Sequence, residues 1–142
     1  MAVTQQRMDV ERNKELVRRA YDALNRGAID EFGSFLADDY LEITQEGQTR
    51  SKEECLAEFE EIKRAMPDVR YDIQELIAED DRVVVVENYS GSMRGEMQGI
   101  KPTGRRMSVT AVDIYRVRDG KLAEVRSVFD TGQVMQQLGL KE

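Results

Sequence analysis

The spacing of hydrophobic residues changes along this chain, and that change constrains the fold more than any other feature. Within residues 9–26 and 52–66, apolar side chains recur every three or four positions, as in amphipathic helices. From residue 69 to residue 129 they alternate with polar neighbours, as in half-buried strands. Helices followed by a run of strands predict an α+β fold, with helices on one face of an antiparallel sheet.

Local signals set the ends of several elements. Ser51 and Glu54 have the spacing of a capping box that begins a helix, and Pro67 ends that helix. Gly27 is suited to end the first helix as a C-cap residue. The remaining predicted elements are a short helix at 28–36 and strands at 40–45, 69–79, 83–97, 106–118 and 121–129.

Length and charge limit the classes of protein to which the chain can belong. The 142 residues predict a single domain over 1–142 with an ordered core over about 9–137. A net charge of −7 argues against nucleic acid and against an anionic membrane surface as partners. There is no apolar segment suited to a signal peptide or a membrane span, and a single cysteine forms no internal disulfide. We therefore expect a cytoplasmic protein.

The chain contains no histidine. This excludes Ser-His-Asp and Cys-His nucleophiles and histidine-ligated zinc or iron sites. The sequence also lacks a glycine-rich phosphate loop after a strand. We therefore expect neither a metal nor a cofactor, and acid/base chemistry must come from Asp, Glu, Tyr, Lys or water.

The last hairpin carries a lone carboxylate, Asp113, in an apolar face. A two-residue turn at Asp119-Gly120 would place Asp113 beside Arg126, whereas a turn with a bulge at Gly120 would place it beside Val125. The hydrophobic pattern favours the bulged turn, because a one-residue slip reverses every side chain. This register gathers on one face Val109, Ala111, Asp113, Tyr115, Val117, Val125, Ser127 and Phe129. Val112 and Ile114 then lie on the opposite face, whose partly apolar character suits a dimer contact.

Asp113 is the predicted catalytic residue. A carboxyl group in an apolar pocket is a usable general acid or a hydrogen-bond donor to an enolate. The alternative is a structural carboxylate held by Tyr21, Tyr89 or an arginine. The sequence leaves both open.

Other polar residues allow two interpretations each. Glu87 is a second pocket carboxylate if its strand turns that face inward, and otherwise a solvated strand residue. The pair Asp38-Asp39 is an acid/base partner at the pocket mouth or a turn before a strand. The pair Arg105-Arg106 clamps an anionic substrate or is solvated, and segment 93–105 is a mobile lid or a plain hairpin loop.

The expected partner is an apolar, oxygenated small molecule. Tyrosines can orient a substrate carbonyl, and methionines suit an adaptable pocket wall, although core packing explains both residue types as well. The predicted substrate-binding set is Tyr21, Tyr40, Phe59, Met66, Tyr71, Glu87, Tyr89, Met93, Tyr115, Ser127 and Phe129.

Several stretches resemble one family. AEDDRVVVV, GEMQGIKPTGRR, VDIYRVRDGKL and VFD, with AYDALNRGAIDEF near the N-terminus, resemble the SnoaL-like polyketide cyclases of the nuclear transport factor 2-like superfamily. The resemblance implies a cone-shaped α+β barrel, in which a bent antiparallel sheet packs on N-terminal helices around a pocket. It also implies a homodimer and cofactor-free ring closure in antibiotic biosynthesis.

The chain departs from this family at its reactive positions. The family's catalytic aspartate falls on Ser127, and its assisting histidine falls on Asp113. A tryptophan common in the family falls on Glu87, and a frequent histidine falls on Met93. Serine cannot replace a carboxylate as a base near neutral pH, so Ser127 is expected to fill a gap.

Three functions follow from these residues. The first is a cyclase of a polyketide-derived intermediate, which closes a ring by acid/base chemistry at Asp113 or by templating a cycloaddition or ether formation rather than by the usual aldol reaction. The second is a non-catalytic small-molecule binding protein of the same fold. The third is an epoxide-opening hydrolase, which needs Glu87 or Asp39 within about one water of Asp113.

Overall fold

The elements follow the helix-first order that the hydrophobic spacing predicts. A computed structural model describes residues 2–140 of the chain. Its elements are α1 (Ala2–Asn25), α2 (Ile29–Ser34), β1 (Leu36–Ile43), β2 (Thr49–Ser51), α3 (Lys52–Ala65), β3 (Arg70–Glu79), β4 (Arg82–Ser92), β5 (Arg106–Arg118), β6 (Lys121–Phe129) and α4 (Thr131–Leu138).

Several elements differ from the prediction. The strand predicted at 83–97 ends at Ser92, and the strand predicted at 40–45 is Leu36–Ile43. α1 begins at Ala2 rather than at residue 9, because the apolar residues among 2–8 do not recur at helical spacing. Strand β2 has only three residues, too few for a periodic signal. α4 was not predicted, although Asp130 caps its start and Gly139 ends it with a φ of 76°. None of the described helices is long and apolar enough to cross a membrane.

The six strands form one sheet in the order β2-β1-β6-β5-β4-β3. Neighbouring strands are antiparallel except β1 and β6, which run parallel. The predicted α+β class, with N-terminal helices packed on the sheet, is confirmed, and the parallel pair makes the sheet mixed. This pair also brings β1 beside β6, so that both contribute to the same pocket.

A tight turn at Asp119-Gly120 joins β5 to β6. Both residues have positive φ, 52° and 73°, as a type I′ turn requires. Arg118 consequently pairs with Lys121 across the turn. The predicted bulge at Gly120 is wrong, and the two-residue turn is the one that forms.

A β-bulge at Ala123 then shifts β6 by one residue relative to β5. Asp113 therefore lies opposite Ser127, rather than opposite Val125 or Arg126. The two-residue turn moves the pairing by one residue from the predicted register, and the bulge moves it by one more. Two such shifts leave each side chain on the face that was predicted, so Asp113 points inward as expected. A bulge inside a strand leaves no signal in the turn sequence, which explains why the partner of Asp113 was mispredicted.

The core has two parts. The larger part lies between α1, α2, α3 and the sheet, and α1 contributes Val17, Ala20, Tyr21 and Leu24 at helical spacing. The smaller part lies beside α4, and its fully packed members are Ala65, Met66, Met93, Met107, Val109 and Leu138. The larger part surrounds the site described below.

The opposite face of the sheet is more accessible. Val112 and Ile114 are half-buried there, and Val128 is 48% exposed. A homodimer contact on this face stays a prediction.

The capping box of α3 gives a test of local stability. Ser51 Oγ accepts a hydrogen bond from the Glu54 amide at 3.2 Å, and Glu54 Oε1 accepts one from the Ser51 amide at 3.0 Å. We expect Ser51→Ala to lower the free energy of unfolding by about 1 kcal/mol, and the melting temperature by about 3 °C. Ser51→Asp, which keeps a capping oxygen, should unfold close to the wild type in the same thermal scan. Wild-type stability of Ser51→Ala would contradict the capping role.

Candidate functional site

The Tyr21 hydroxyl lies at the centre of a buried polar cluster. It donates a hydrogen bond to Asp113 Oδ2 and lies 3.1 Å from Glu87 Oε1. The hydroxyl oxygen of Tyr115 lies 3.0 Å from the hydroxyl oxygen of Tyr21. Tyr21 donates its one hydroxyl hydrogen to Asp113, so Glu87 and Tyr115 can each form a hydrogen bond with it only by donating a proton.

The strands hold these groups on one face. Asp113 and Tyr115 are two residues apart on β5, and side chains with this spacing share a face. Glu87 on β4 lies opposite Ala111, which makes it the diagonal neighbour of Asp113 across the β4–β5 pair. Glu87 is only 2% exposed, so its strand turns that side chain inward.

One proton stays with the two carboxyl groups. Burial first, and then the charge of Asp113 and a hydrogen bond to it, raise the pKa of Glu87 to about 11. Two carboxylates in contact cannot both ionise cheaply in a buried site, so Glu87 keeps its proton at neutral pH. We call Glu87 and Asp113 the carboxyl pair.

The two tyrosines remain hydrogen-bond donors. Burial, followed by the charge of Asp113, raises the pKa of both Tyr21 and Tyr115 well above its ordinary value. The cluster therefore combines three O–H donors, those of Tyr21, Tyr115 and Glu87, with the carboxylate of Asp113. The hydrogen bond from Tyr21 to Asp113 is also consistent with the alternative in which Asp113 is a structural carboxylate. Among the described residues, however, no arginine or lysine forms an ion pair with Asp113.

The cluster opens on a pocket of about 720 Å³, including the space at its mouth. Four rings, which we call the aromatic wall, line one side of it: Phe59, Tyr71, Tyr89 and Phe129. Tyr71 and Tyr89 stack at 5.3 Å between ring centroids, and Phe59 and Phe129 meet this stack edge-on at 5.8 and 5.9 Å.

Ten of the twelve predicted site residues line this pocket. They are Tyr21, Tyr40, Phe59, Tyr71, Glu87, Tyr89, Asp113, Tyr115, Ser127 and Phe129.

Met66 and Met93 lie elsewhere, which corrects the expectation that they form a pocket wall. Both are at most 1% exposed and pack in the smaller part of the core beside Leu138 of α4. The sequence analysis missed α4, and with it the reason for an apolar cluster at that end.

The other charged candidates are also outside the pocket lining. Asp39 is exposed and pairs with Arg118, while Arg106 lies 3.5 Å from Asp68. Both interactions are on the surface, so Arg106 is solvated and Asp39 is no partner for Asp113. Asp38 and Asp39 are exposed residues within β1, so the alternative of a turn before the strand is wrong.

Segment 93–105 is bonded to α3 rather than placed over the pocket. The Gln98 amide donates to Glu61 Oε1 at 3.0 Å, and the Gly95 amide donates to the Ala65 carbonyl at 2.9 Å. None of its residues lines the pocket. These contacts favour a plain hairpin loop over a lid.

The sequence analysis missed three polar pocket residues, Glu42, Cys55 and Glu58. A signal for Glu42 existed, because it is two residues from the buried Tyr40 on β1 and so shares its face. Burial is the main cause that raises the pKa of the Cys55 thiol to about 12. The thiol therefore stays protonated near neutral pH. Within residues 2–140, no group of three or more Cys, Asp or Glu side chains is arranged to hold a metal ion.

The fold and this pocket define a small α+β protein with an aromatic, acid-bearing ligand site. A family model described as SnoaL-like polyketide cyclase matches residues 14–138. The chain belongs to this family.

Two named relatives are cyclases, and a solved structure described as a hydroxylase, AclR, shares the fold. Aklanonic acid methyl ester cyclase DauD of Streptomyces sp. (strain C5) is 28% identical over 130 residues, which cover 88% of this chain and 80% of that protein. DnrD of Streptomyces peucetius, a cyclase of the same description, is also 28% identical over 130 residues, which cover 88% of this chain and 89% of DnrD. The structure of AclR from Streptomyces galilaeus superimposes with a TM-score of 0.85 at 25% identity, covering 94% of this chain and 88% of AclR.

The raised pKa of Glu87 predicts how stability depends on pH. Its pKa rises from an ordinary 4.5 to about 11 on folding, so between these values the folded state holds a proton that the unfolded state lacks. This contribution is complete below pH 4.5 and is lost as pH rises towards 11. Glutamine does not titrate, so Glu87→Gln should gain stability relative to the wild type between pH 5 and pH 9, by up to about 1.4 kcal/mol per pH unit.

Urea unfolding of both proteins across this pH range measures the difference. Glu75→Gln, at an exposed position on β3, is the matched control and should track the wild type. A constant difference between Glu87→Gln and the wild type would mean that Glu87 does not hold the proton.

Proposed function

We propose that this protein is a cofactor-independent cyclase that acts on a polyketide-derived intermediate in natural-product biosynthesis. The supporting observation is the carboxyl pair on the wall of an aromatic pocket, in which Glu87 is buried and Asp113 is half-buried. Asp113 lies directly across from Ser127, the position to which the family's aspartate was assigned. The carboxylate therefore faces the same space from the neighbouring strand.

The pocket suits an oxygenated aromatic substrate. The aromatic wall offers ring faces and edges for stacking, and the hydroxyl groups of Tyr21 and Tyr115 lie at the polar end. DauD and DnrD are cyclases of aklanonic acid methyl ester. We propose a related substrate class for this chain, without a free charge on the reacting part.

Asp113 begins the proposed reaction as the base. Its carboxylate takes a proton from the hydroxyl or carbon that becomes the nucleophile, and the electron pair left behind attacks a carbonyl carbon of the same molecule. With a hydroxyl the ring closes through a C–O bond; with a carbon the step is an aldol reaction in which the base has moved from position 127 to Asp113. One ring bond forms, and the carbonyl π bond opens to an alkoxide. The O–H groups of Tyr115 and Glu87 are the donors available to stabilise this charge.

Glu87 completes the reaction as the acid. Its proton passes to the alkoxide, and the proton now on Asp113 returns to Glu87 through the Tyr21 hydroxyl that touches both carboxyl groups. The product is then an isomer of the substrate, and the enzyme recovers its starting protonation. No external proton donor is needed in this cycle.

An epoxide-opening hydrolase is a second candidate, since it too needs a pair of carboxyl groups. Asp113 would activate a water molecule and Glu87 would protonate the epoxide oxygen. Glu87 and Asp113 share the Tyr21 hydroxyl, whereas Asp39 pairs with Arg118 on the surface, and this favours the pair over a hydrolase based on Asp39.

Turnover of aklanonic acid methyl ester by matched variants tests the proposal. We expect Asp113→Asn to lower kcat by about 10²- to 10⁴-fold, because asparagine keeps an acceptor for Tyr21 but cannot take a proton. Ser127→Ala should stay within about threefold of the wild type, because serine has no base to activate it.

Each other function gives a different result in the same assay. Unchanged turnover by Asp113→Asn would show that Asp113 transfers no proton, and would indicate that the pocket acts by holding the substrate in a reactive conformation. Ligand binding without turnover by the wild type would indicate a binding protein. Incorporation of ¹⁸O from labelled water into an opened styrene oxide would indicate the hydrolase.

A further inference from the structure

A second polar feature of the pocket lies on β1, away from the carboxyl pair. Glu42 Oε1 is buried and has no hydrogen-bond partner in the protein, and among the described residues it is the one buried side-chain oxygen or nitrogen of this kind. The nearest cation, Arg50 Nη1, lies 3.9 Å away, too far for a hydrogen bond. The same Arg50 nitrogen forms a direct ion pair with Glu58.

We propose that Glu42 is a specificity-determining residue, which accepts a hydrogen bond from a hydroxyl group on the substrate. A buried acceptor without a partner costs free energy, and a ligand that supplies a donor recovers it. This inference rests on the proposed function only in taking this pocket as the substrate site.

The position of Glu42 sets where that hydroxyl must be. In the sheet order, β1 is two strands from β5 and three strands from β4. With neighbouring strands about 4.8 Å apart, Glu42 stands roughly 10 Å from Asp113 along the sheet. A substrate whose reacting carbonyl meets the carboxyl pair would therefore carry its hydroxyl about two fused rings away.

The charges around Glu42 exclude a carboxylate at the same place. Burial raises the pKa of Glu42, Arg50 partly offsets this effect, and the charge of Asp113 raises the pKa further. An anionic group entering here would face both Glu42 and Asp113, while Arg50 is engaged by Glu58. We therefore infer selection for a hydroxyl and against a free carboxylate.

A matched pair of naphthalene probes isolates this second contact. 2,6-Dihydroxynaphthalene offers one hydroxyl to the carboxyl pair and one to Glu42, whereas 6-methoxy-2-naphthol lacks the second donor. By calorimetry we expect the wild type to bind the dihydroxy probe about 10-fold more tightly. Glu42→Leu should reduce this preference to less than about twofold. Glu46→Leu, at an exposed position in the turn after β1, is the control and should keep it.

Glu42→Gln tests the charge with a side chain of the same size. It keeps an acceptor oxygen, so the preference for the dihydroxy probe should remain, while 6-hydroxy-2-naphthoate should bind about 10-fold more tightly than to the wild type. This variant also preserves the test if Glu42→Leu does not fold.

The proposal is overturned if Glu42→Leu retains the wild-type preference, or if Glu42→Gln leaves naphthoate binding unchanged. Both readouts are binding constants rather than rates. A failure here is therefore distinct from a failure of Asp113 as the catalytic base, which only the turnover assay detects.

Discussion

The contact between the Tyr21 hydroxyl and the carboxyl pair is the interaction on which the rest of this structure depends. It joins α1 to β4 and β5; Tyr21 and Glu87 are each only 2% exposed, and Asp113 is half-buried. Two carboxyl groups in such a place are tolerated because one of them is neutral and because hydroxyl groups satisfy their oxygens. The same arrangement leaves an acid and a base side by side, which is the condition for moving a proton in both directions.

The sheet supplies the geometry for this chemistry. The bulge at Ala123 brings Ser127 opposite Asp113, and the parallel β1–β6 pair adds Tyr40 and Glu42 to the same pocket. Ring packing along the aromatic wall fixes the apolar side. The pocket is therefore polar at two places separated by roughly two strand spacings, and apolar between them. Such a pattern can hold a flat, oxygenated molecule in a single orientation.

Periodicity and turn chemistry predict much of this fold. The bounds of β5 and β6 match the prediction, and the inward face of Asp113 was deduced from the alternation of apolar residues. The partner of Asp113 could not be deduced, because it depends on a bulge that packing, rather than the turn, determines. The two methionines, Met66 and Met93, were misplaced because α4 lacks the long apolar pattern that reveals a helix.

The electrostatics of the site could be predicted only in part. Asp113 is conspicuous in sequence because its neighbours on the face are apolar, whereas the inward position of Glu87 follows from strand register that no local pattern fixes. Glu42 left only the weaker signal of its two-residue spacing from Tyr40. Which carboxyl group holds the proton depends on burial and on distances between strands, both of which exist only in the folded chain.

The most direct test of this account is the carboxyl ¹³C NMR signal of Glu87, assigned by its loss in Glu87→Gln and followed from pH 5 to pH 9 in the wild type. A Glu87 pKa of about 11 predicts that the signal keeps the chemical shift of a protonated acid throughout this range. A signal already at the carboxylate position at pH 7, with a midpoint near the ordinary 4.5, would contradict it. In that case the pair would hold no proton to return to the product.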